Sequence, residues 1–276
     1  MASGTVLVTG ASTGIGEATV LHLKALGFDA VGAVRKDEDA ERLEARGVRT
    51  VRIDVTDPGQ IAAARDELGD VALAGLVNNA GIAVAAPLEF LPVDKFRQQL
   101  EINLIGQMAV TQAFLPALRR ARGRIVMVSS IGGRVALPLV SAYNASKFGL
   151  EGLSDSLRRE LRSHGVDVIV VEPGGVKTPI WNKAEALADD MLEDVPPEAD
   201  RLYGKLIDAV RAGTQRIARE TGSDPIAVAE VIGEALTANR PRTRYLVGRD
   251  AKMRAVMSRV LPDRVMDRMI ARRFGA

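Results

Sequence analysis

The sequence predicts an α/β fold in which a doubly wound parallel sheet of about seven strands carries helices on both faces. Short apolar runs alternate with segments of helical spacing along the chain. The runs LAGLV, RIVMV and DVIVV are apolar on both faces, which is typical of strands that are covered on both sides. No internal repeat or low-complexity linker interrupts the pattern, so we expect a single domain over residues 1–276.

Seven short runs are predicted as strands, and each is followed by a turn or by small polar residues. They are TVLVTG (5–10), DAVGAV (29–34), VRTVRID (48–54), ALAGLVNNAG (72–81), GRIVMVSS (123–130), VDVIVVEPGG (166–175) and TRYLVG (243–248). The spacing of Ala18, Leu21 and Ala25 predicts a helix over about residues 15–26. A charged helix is expected between the second and third strands.

The composition excludes several classes of function. The 37 basic and 35 acidic residues give a net charge of +2, so the pI near 9.0 is a weak argument for nucleic acid and we expect no nucleic-acid partner. Cysteine is absent, which excludes disulfides and thiolate sites, and the two histidines are far apart, so no metal site is expected. No secretory leader or apolar run of about 20 residues is present, so the predicted location is cytoplasmic.

A glycine-rich loop follows the first predicted strand. TGASTGIG at 9–16 has glycines at positions 10, 14 and 16, which allow a tight turn and the close approach of a pyrophosphate to the backbone. The helix that follows offers free N–H groups and the positive end of its dipole. No Gly-Lys-Ser/Thr follows, which disfavours a nucleoside-triphosphate loop. The loop predicts dinucleotide binding, with a ligand-free turn as the alternative.

The end of the second strand is predicted to select the cofactor. An acid at this point would bind the ribose hydroxyls of NAD, whereas an arginine suits a 2′-phosphate. Val34 occupies the acid's place and Arg35 follows, so we predict that NADP(H) is preferred, with NAD(H) as the alternative. Arg35 and Lys36 could instead merely flank a helix start. Asp54 and Val55, after the third strand, are predicted at the adenine edge.

Two chemically reactive side chains stand four residues apart in SAYNASKFG (141–149). On a helix, this spacing places Tyr143 and Lys147 on one face, one turn apart. Read alone, they could be an exposed surface pair. Ser130 follows another apolar run and, with the other strand-end residues, is expected to reach the same crevice, because ligands bind at the carboxyl ends of strands in open α/β sheets.

Taken in order, these motifs resemble the short-chain dehydrogenase/reductase family, in its shorter, single-domain branch. The interval of 13 residues between Ser130 and Tyr143 is usual in that family. The resemblance runs from about residue 4 to 180, and more loosely to about 248, and implies a Rossmann-type fold and the interconversion of a carbonyl and an alcohol. The matching pieces are TGASTGIG at 9–16, NNAG at 78–81, Asn103 in EINLIG, Ser130 in VMVSS, YNASK at 143–147 and PGGVKT at 173–178.

The resemblance implies a catalytic tetrad. Tyr143 would protonate the carbonyl oxygen during reduction, and the ammonium of Lys147 together with the positive charge of the oxidised nicotinamide would favour the phenolate of a group whose ordinary pKa is about 10. Lys147 would also hold the nicotinamide ribose, Ser130 would hold the substrate oxygen, and Asn103 would anchor a water that passes protons to Lys147.

The resemblance also implies the cofactor contacts. Thr178 would bind the nicotinamide carboxamide and Asn79 would line the cleft. The predicted cofactor-binding set is Gly10, Ser12, Thr13, Gly14, Ile15, Gly16, Arg35, Asp54, Val55, Asn79, Ala80, Gly81, Tyr143, Lys147, Pro173, Gly174, Val176 and Thr178.

Residues 181–224 are predicted to form a lid over the substrate. Trp181 and Met191 are apolar candidates within it, and the expected substrate contacts are Ser130, Leu137, Tyr143 and Trp181. A hydrophobic ketone or alcohol, such as a steroid, retinoid or lipid, is therefore expected. The alternatives are a 3-oxoacyl-thioester reductase and, in another class, a non-catalytic nucleotide-sensing protein, which the complete Ser130, Tyr143 and Lys147 set disfavours.

The tail, residues 249–276, carries eight basic and three acidic residues, a net charge of +5. It is predicted to form two amphipathic helices that pack on the body or on a partner subunit, with contact to an anionic membrane as the alternative. A homodimer or homotetramer is expected through helices near 95–120 and 143–163. The predicted apolar stripes are Met253, Val256, Met257 and Val260, and then Val265, Met266, Met269 and Ile270.

Overall fold

Seven parallel strands form one sheet in the order β3-β2-β1-β4-β5-β6-β7 in the computed structural model, which describes residues 3–193 and 197–274. Each strand lies within one of the seven predicted runs, so the predicted fold class is confirmed. The strands are β1 (Thr5–Thr9), β2 (Asp29–Val34), β3 (Arg49–Arg52), β4 (Leu73–Asn78), β5 (Arg124–Val128), β6 (Asp167–Pro173) and β7 (Arg244–Val247).

Helices alternate with these strands and cover both faces of the sheet. Their bounds are α1 (Gly14–Ala25), α2 (Asp37–Glu44), α3 (Pro58–Leu68), α4 (Val93–Leu100), α5 (Gly106–Ala121), α6 (Ser141–Glu160), α7 (Ile180–Glu193), α8 (Pro197–Arg216), α9 (Pro225–Thr237), α10 (Arg249–Val260) and α11 (Asp263–Phe274). A π-helical turn at Glu101–Ile105 joins α4 to α5, and a 3₁₀ turn at Ile131–Gly133 follows β5. Of the predicted lid, residues 194–196 lie outside the described residues.

The hydrophobic core consists of two layers, one on each face of the sheet. In β1, the side chains of Val6 and Val8 join the layer beneath α1 and α9, whereas Leu7 joins the layer beneath α3, α5 and α6. All three residues are completely buried. Both faces of this strand are therefore covered, which explains why its sequence is apolar without alternation.

The connectivity brings four strand ends together. The strand order reverses at β1, which pairs with β2 on one side and with β4 on the other. From there β4, β5 and β6 follow in turn, all parallel. The carboxyl ends of these strands meet along one edge of the sheet, where ligands bind in open α/β folds.

The basic tail forms the two predicted helices, α10 and α11. The buried face of α10 is made by Ala251 and Ala255, which pack against Ile131 and Val135. On α11, Met266, Ile270 and Phe274 face the body of the protein. The tail is thus docked beside the loop that follows β5.

One of the two predicted stripes does not pack on the body. Met253, Val256 and Val260 are 56%, 62% and 72% exposed, so the body does not cover this stripe of α10, and its packing on a partner subunit stays a prediction. The two alanines on the opposite face explain the difference, because small side chains let the helix lie close to the body and turn the larger ones outward. Within residues 3–193 and 197–274, no helix is long and apolar enough to cross a membrane.

Candidate active site

The first turn of α1 is a ready site for an anion. Thr13 precedes the helix in an extended conformation, and its side chain makes no capping hydrogen bond. By contrast, Asp57 and Asp224 cap α3 and α9 with their carboxylates. Because the first N–H groups of a helix have no partners within it, an uncapped start can bind a phosphate, so this end of the site fits the pyrophosphate of a dinucleotide.

The glycines of the loop bring three segments into contact. Gly10 has a φ of 64°, and a Cβ there would lie 2.8 Å from the Cα of Ala80. Gly14 has a φ of 61°, and a Cβ would lie 3.0 Å from Cγ2 of Thr178. A Cβ at Gly16 would overlap the carbonyl of Gly10. The predicted set of Gly10, Gly14, Ala80 and Thr178 is therefore assembled at one place, and side chains larger than hydrogen would push it apart.

A threonine that the sequence analysis missed joins β1 to the end of β4. Thr9 Oγ1 accepts hydrogen bonds from the backbone N–H groups of Asn79 and Ala80 at 3.0 and 3.1 Å. The amide of Asn79 in turn donates to the carbonyls of Thr9 and Gly10 at 3.0 and 3.2 Å. Asn79 thus shapes the wall of the cleft through these bonds. Thr9 ends β1 directly after the apolar run of residues 6–8, and this polar strand end was the signal that could have identified it.

The end of β2 presents a guanidinium to solvent. Val34 is buried, whereas the side chain of Arg35 is 64% exposed and lies 3.7 Å from a carboxylate oxygen of Asp54. Burial raises the pKa of Asp54, but hydrogen bonds from Thr56 and the charge of Arg35 outweigh it and lower the pKa below its ordinary value. Asp54 is therefore an anion that holds Arg35 at this end of the cleft. The structure places both predicted residues together.

Tyr143 and Lys147 lie one turn apart on α6, as predicted, and Ser130 faces them from the end of β5. The hydroxyl of Ser130 acts on that of Tyr143 in the direction that lowers the pKa of the phenol. Ser130 Oγ accepts from the N–H of Gly132 at 3.0 Å, which leaves its proton free to be donated. The ammonium of Lys147 lies 5.8 Å from the centre of the Tyr143 ring.

Lys147 is only 5% exposed, and its ammonium donates to the carbonyl of Val128 at 2.8 Å. Burial disfavours the charged form and lowers the pKa to about 8, while the carboxylate of Glu151 acts in the opposite direction. This bond fixes α6 to the end of β5. Lys147 is therefore a positioned cation with a pKa close to the working range of an enzyme.

The expected lowering of the pKa of Tyr143 by Lys147 is not met in the protein alone. Burial of the side chain raises the pKa above its ordinary value, and the hydroxyl of Ser130 opposes this only in part. Burial penalises a phenolate, and the ammonium of Lys147, 5.8 Å from the centre of the ring, does not reverse the direction of the shift. We therefore expect the hydroxyl of Tyr143 to stay protonated unless another positive charge binds close to it.

Asn103 is completely buried in the π-helical turn between α4 and α5. Its Oδ1 accepts from the N–H of Ile82 at 2.9 Å, and its Nδ2 donates to the carbonyl of Ile82 at 3.0 Å and to Ser146 Oγ at 3.2 Å. The side chain thus ties the loop after Gly81 to α6. These bonds occupy both amide protons, so a water held at this position would have to donate to the second lone pair of Oδ1 or bind the backbone.

The loop after β6 is held by the tail, a connection that the sequence analysis missed. Asp250, at the start of α10, accepts a hydrogen bond from the N–H of Gly175 at 3.0 Å. A Cβ at Gly174 would collide with the same carboxylate, so only glycine fits there. The tail therefore supports the segment from Pro173 to Thr178.

The predicted apolar contacts of the substrate differ in how exposed their side chains are. Trp181 is partly exposed, and its indole N–H donates to the carbonyl of Val176 at 2.7 Å, which fixes the ring beside the loop after β6. Leu137 is partly exposed, and its carbonyl accepts from the Asn144 amide. Met191 is buried in a cluster that includes Ala142, next to Tyr143. Leu137 and Trp181 thus keep accessible surface, whereas Met191 packs on the body.

A sequence model of the family described as short chain dehydrogenase matches residues 4–188. The chain belongs to the short-chain dehydrogenase/reductase family. It is an NAD(P)-dependent oxidoreductase that acts on alcohols or the corresponding carbonyl compounds, and it binds a nicotinamide cofactor. The segment matched by the family model contains every residue of the predicted tetrad.

Two relatives cover almost the whole chain. Retinol dehydrogenase 5 of Mus musculus is 35% identical over 277 residues, which cover 96% of this chain and 87% of the relative. An NADPH-dependent 3-dehydrocapnine reductase of Ornithobacterium rhinotracheale is 34% identical over 275 residues, with 95% and 94% covered. A solved short chain dehydrogenase of Burkholderia cenocepacia in complex with NADP matches with a TM-score of 0.75 and 27% identity, covering 96% of this chain and 97% of that one.

The tetrad leads to a direct test at Tyr143. Replacing Tyr143 by Phe removes the transferable proton and keeps the ring, so we expect kcat for carbonyl reduction to fall by about 10² to 10⁴-fold. Because the phosphate end of the site is untouched, the Kd for NADPH, measured by fluorescence titration, should change less than about threefold.

Tyr245→Phe is the matched control, because it removes the same kind of hydroxyl from β7, where the group accepts a hydrogen bond from the N–H of Arg242. This variant should keep kcat within about twofold of the wild type. Near-normal turnover in Tyr143→Phe would refute the assignment of the proton donor.

Proposed function

We propose that the protein is an NADP(H)-dependent oxidoreductase that interconverts a hydrophobic ketone or aldehyde with its alcohol. The observation that carries this proposal is the buried Lys147, which is hydrogen-bonded to Val128 and lies behind a tyrosine that contacts Ser130. This arrangement combines a proton donor, a cation and a hydroxyl that can hold a substrate oxygen. The similarity to a retinol dehydrogenase and to a 17-beta-hydroxysteroid dehydrogenase supports the same class of substrate.

In the proposed reaction, the protein orients the substrate and transfers one proton to or from it. The substrate oxygen accepts hydrogen bonds from Ser130 and Tyr143, and Tyr143 gives up its proton to that oxygen during reduction. The nicotinamide supplies the hydride when bound. Lys147 holds the nicotinamide ribose and stabilises the phenolate left on Tyr143, and the backbone at Asn103 holds the water that returns a proton to Lys147.

Arg35 carries the proposed preference for NADP(H). Its guanidinium is exposed at the end of β2, and Val34, at the position of a ribose-binding acid, offers no carboxylate. The names of an NADPH-dependent relative and of a solved relative in complex with NADP support this preference.

Replacing Arg35 by Ala tests the preference. Because a charge-assisted bond to the 2′-phosphate is lost, we expect kcat/KM for NADPH to fall by about 10- to 100-fold while the value for NADH changes less than about twofold. Arg65→Ala is the matched control, since Arg65 is likewise exposed and paired with an aspartate. Equal efficiency of the wild-type enzyme with NADH and NADPH would contradict the preference.

A hydrophobic substrate suits the surroundings of Tyr143. The indole of Trp181 satisfies its polar N–H internally, so it presents mainly apolar ring surface. An apolar cluster that includes Val84, Leu91 and Met191 contacts Ala142, the neighbour of Tyr143. These features favour a retinoid-, steroid- or lipid-like compound over a sugar, and the name of the mouse relative, a retinol dehydrogenase, agrees.

A substrate panel separates this proposal from the alternative of a 3-oxoacyl-thioester reductase. With NADPH, we expect kcat/KM for retinal or a steroid ketone to exceed that for a 3-oxoacyl thioester and for a short aldehyde by at least about tenfold, because the larger rings bury more apolar surface. Trp181→Ala should remove most of this advantage and leave the short aldehyde unaffected. Preference of the wild-type enzyme for the thioester would favour the alternative.

We also propose that the protein forms a homodimer or homotetramer through α5 and α6. Ile105 in the π-helical turn, Met108 on α5 and Phe148 on α6 are 42%, 37% and 47% exposed, and Gly149 of α6 packs against Leu104 of the same turn. Exposed apolar side chains of this kind suit contact with a second copy of the chain.

The mass in solution tests the assembly. By light scattering, we expect a particle of two or four 29.5-kDa chains, and Phe148→Glu should lower the mass because it places a charge in the proposed interface. Ile226→Glu, at an apolar position that is 42% exposed on α9, should leave the mass unchanged. A monomeric wild-type protein would refute the assembly.

Cytoplasmic localisation is a further proposal, supported by a cysteine-free chain that needs no oxidising compartment.

Fractionation of the producing cells tests this location, because the exposed stripe of α10, with Lys252 and Arg259 beside it, is the surface that could bind a membrane. We expect the protein in the soluble fraction of the producing cells. Recovery with membranes that is lost when Met253, Val256 and Val260 are replaced by Ser would contradict this proposal and would assign the stripe to an anionic lipid surface.

A further inference from the structure

Four charged side chains meet behind the catalytic lysine. Glu172, near the end of β6, is completely buried, and Glu151 follows Lys147 by one turn of α6. Arg134, from the loop after β5, and Arg244, from β7, complete the group. We call these four residues, Glu151, Glu172, Arg134 and Arg244, the inner ionic cluster.

The two arginines bind only one oxygen of each carboxyl group. Arg134 Nε donates to Glu172 Oε1 at 2.7 Å, and Arg244 Nε lies 3.4 Å from the same oxygen. Arg244 also contacts Glu151 Oε2 at 3.1 Å and Asp155 at 2.9 Å. A single guanidinium therefore touches both carboxyl groups, which places them side by side.

The remaining two oxygens are buried without a partner. Within the described residues, neither Glu172 Oε2 nor Glu151 Oε1 makes a hydrogen bond. Each carboxylate has one oxygen on an arginine, but two buried oxygens that both keep negative charge without a donor carry a large cost, whereas one proton between them would satisfy both. Burial, and then the charge of Glu151, raise the pKa of Glu172 to about 7 in spite of Arg134.

The cluster acts on the site through Glu151. Tyr143, Lys147, Glu151 and Asp155 follow one another at intervals of four residues along α6, on one side of the helix. The Glu151 carboxylate favours the ammonium of Lys147, which burial would otherwise discharge more readily. The cluster therefore lies where it can set the charge of the catalytic lysine.

We propose that Glu151 and Glu172 share one proton and act as positioning residues that keep Lys147 charged. The shared proton limits the negative charge of the buried cluster, and the carboxylate that remains is the counter-ion of Lys147. Arg134 and Arg244 hold the pair in place from the other side, and Asp155 binds Arg244 at the rim. The effect on turnover rests on the proposed reduction by Tyr143, whereas the shared proton does not.

Infrared spectroscopy of the purified enzyme tests the shared proton without an activity assay. At pH 6 we expect the carbonyl band of a buried carboxylic acid, which fades as the pH rises through about 7. Glu172→Gln should lose the band, because the amide can donate to Glu151 and accept from Arg134 in place of the acid. Glu160→Gln, an exposed carboxyl on the same helix, should keep it. Absence of the band in the wild type, or its persistence in Glu172→Gln, would overturn the shared proton.

The pH dependence of kcat/KM for carbonyl reduction tests the coupling to Lys147. In Glu151→Gln, loss of the counter-ion should move the alkaline limb to lower pH by about one unit, which is up to about a tenfold loss of rate on that limb. The rate at pH 6 should stay within about twofold, and Glu160→Gln should follow the wild type at every pH. This shift is not expected of a merely structural pair.

The two measurements separate the possible failures. Superimposable profiles of Glu151→Gln and the wild type would overturn the positioning role, even if the band is present. A wild-type enzyme that reduces none of the carbonyl compounds would refute the proposed function, and the infrared band would still decide whether the proton is shared. Thermal unfolding of each variant at pH 6 identifies any that fail to fold.

Discussion

The hydrogen bond from the buried ammonium of Lys147 to the carbonyl of Val128 is the contact on which the rest of the site depends. It anchors α6 to the end of β5 at 2.8 Å, and so fixes Tyr143 opposite Ser130. A lysine this deeply buried is tolerated because it keeps a backbone acceptor and a carboxylate, Glu151, nearby. The fold therefore maintains a cation at a place where water would otherwise be needed to solvate it.

The parallel sheet supplies the remaining parts of the site because its strand ends share one edge. Thr9 ties the end of β1 to the turn after β4. Gly14 lets the first loop lie against Thr178, and Asp250 binds the tail to the loop after β6. These contacts join residues that are 70 or more positions apart in the chain. A short insertion in any of the loops would therefore disturb the cofactor end and the catalytic end together.

The sequence predicted the strands and the placement of Tyr143 and Lys147, because both follow from local periodicity. It did not predict the direction of the pKa shift at Tyr143, which is decided by burial in three dimensions. Nor did it reveal Asp250 or the outward stripe of α10. An aspartate at the start of a helix has many possible partners, so the sequence does not identify the one it binds. In α10, alanines lie on one face and methionine and valine on the other, and this pattern does not indicate which face packs on the body.

As the proposed proton donor, Tyr143 would ionise only when the positive charge of an oxidised nicotinamide lies beside it. Ultraviolet difference titration of the wild type against Tyr143→Phe measures this directly, because only three tyrosines contribute. In the protein alone, Tyr143 should ionise above the ordinary pKa of a phenol, and saturating NADP⁺ should lower that pKa. Ionisation at or below the ordinary value without cofactor, or no change on adding NADP⁺, would contradict the account.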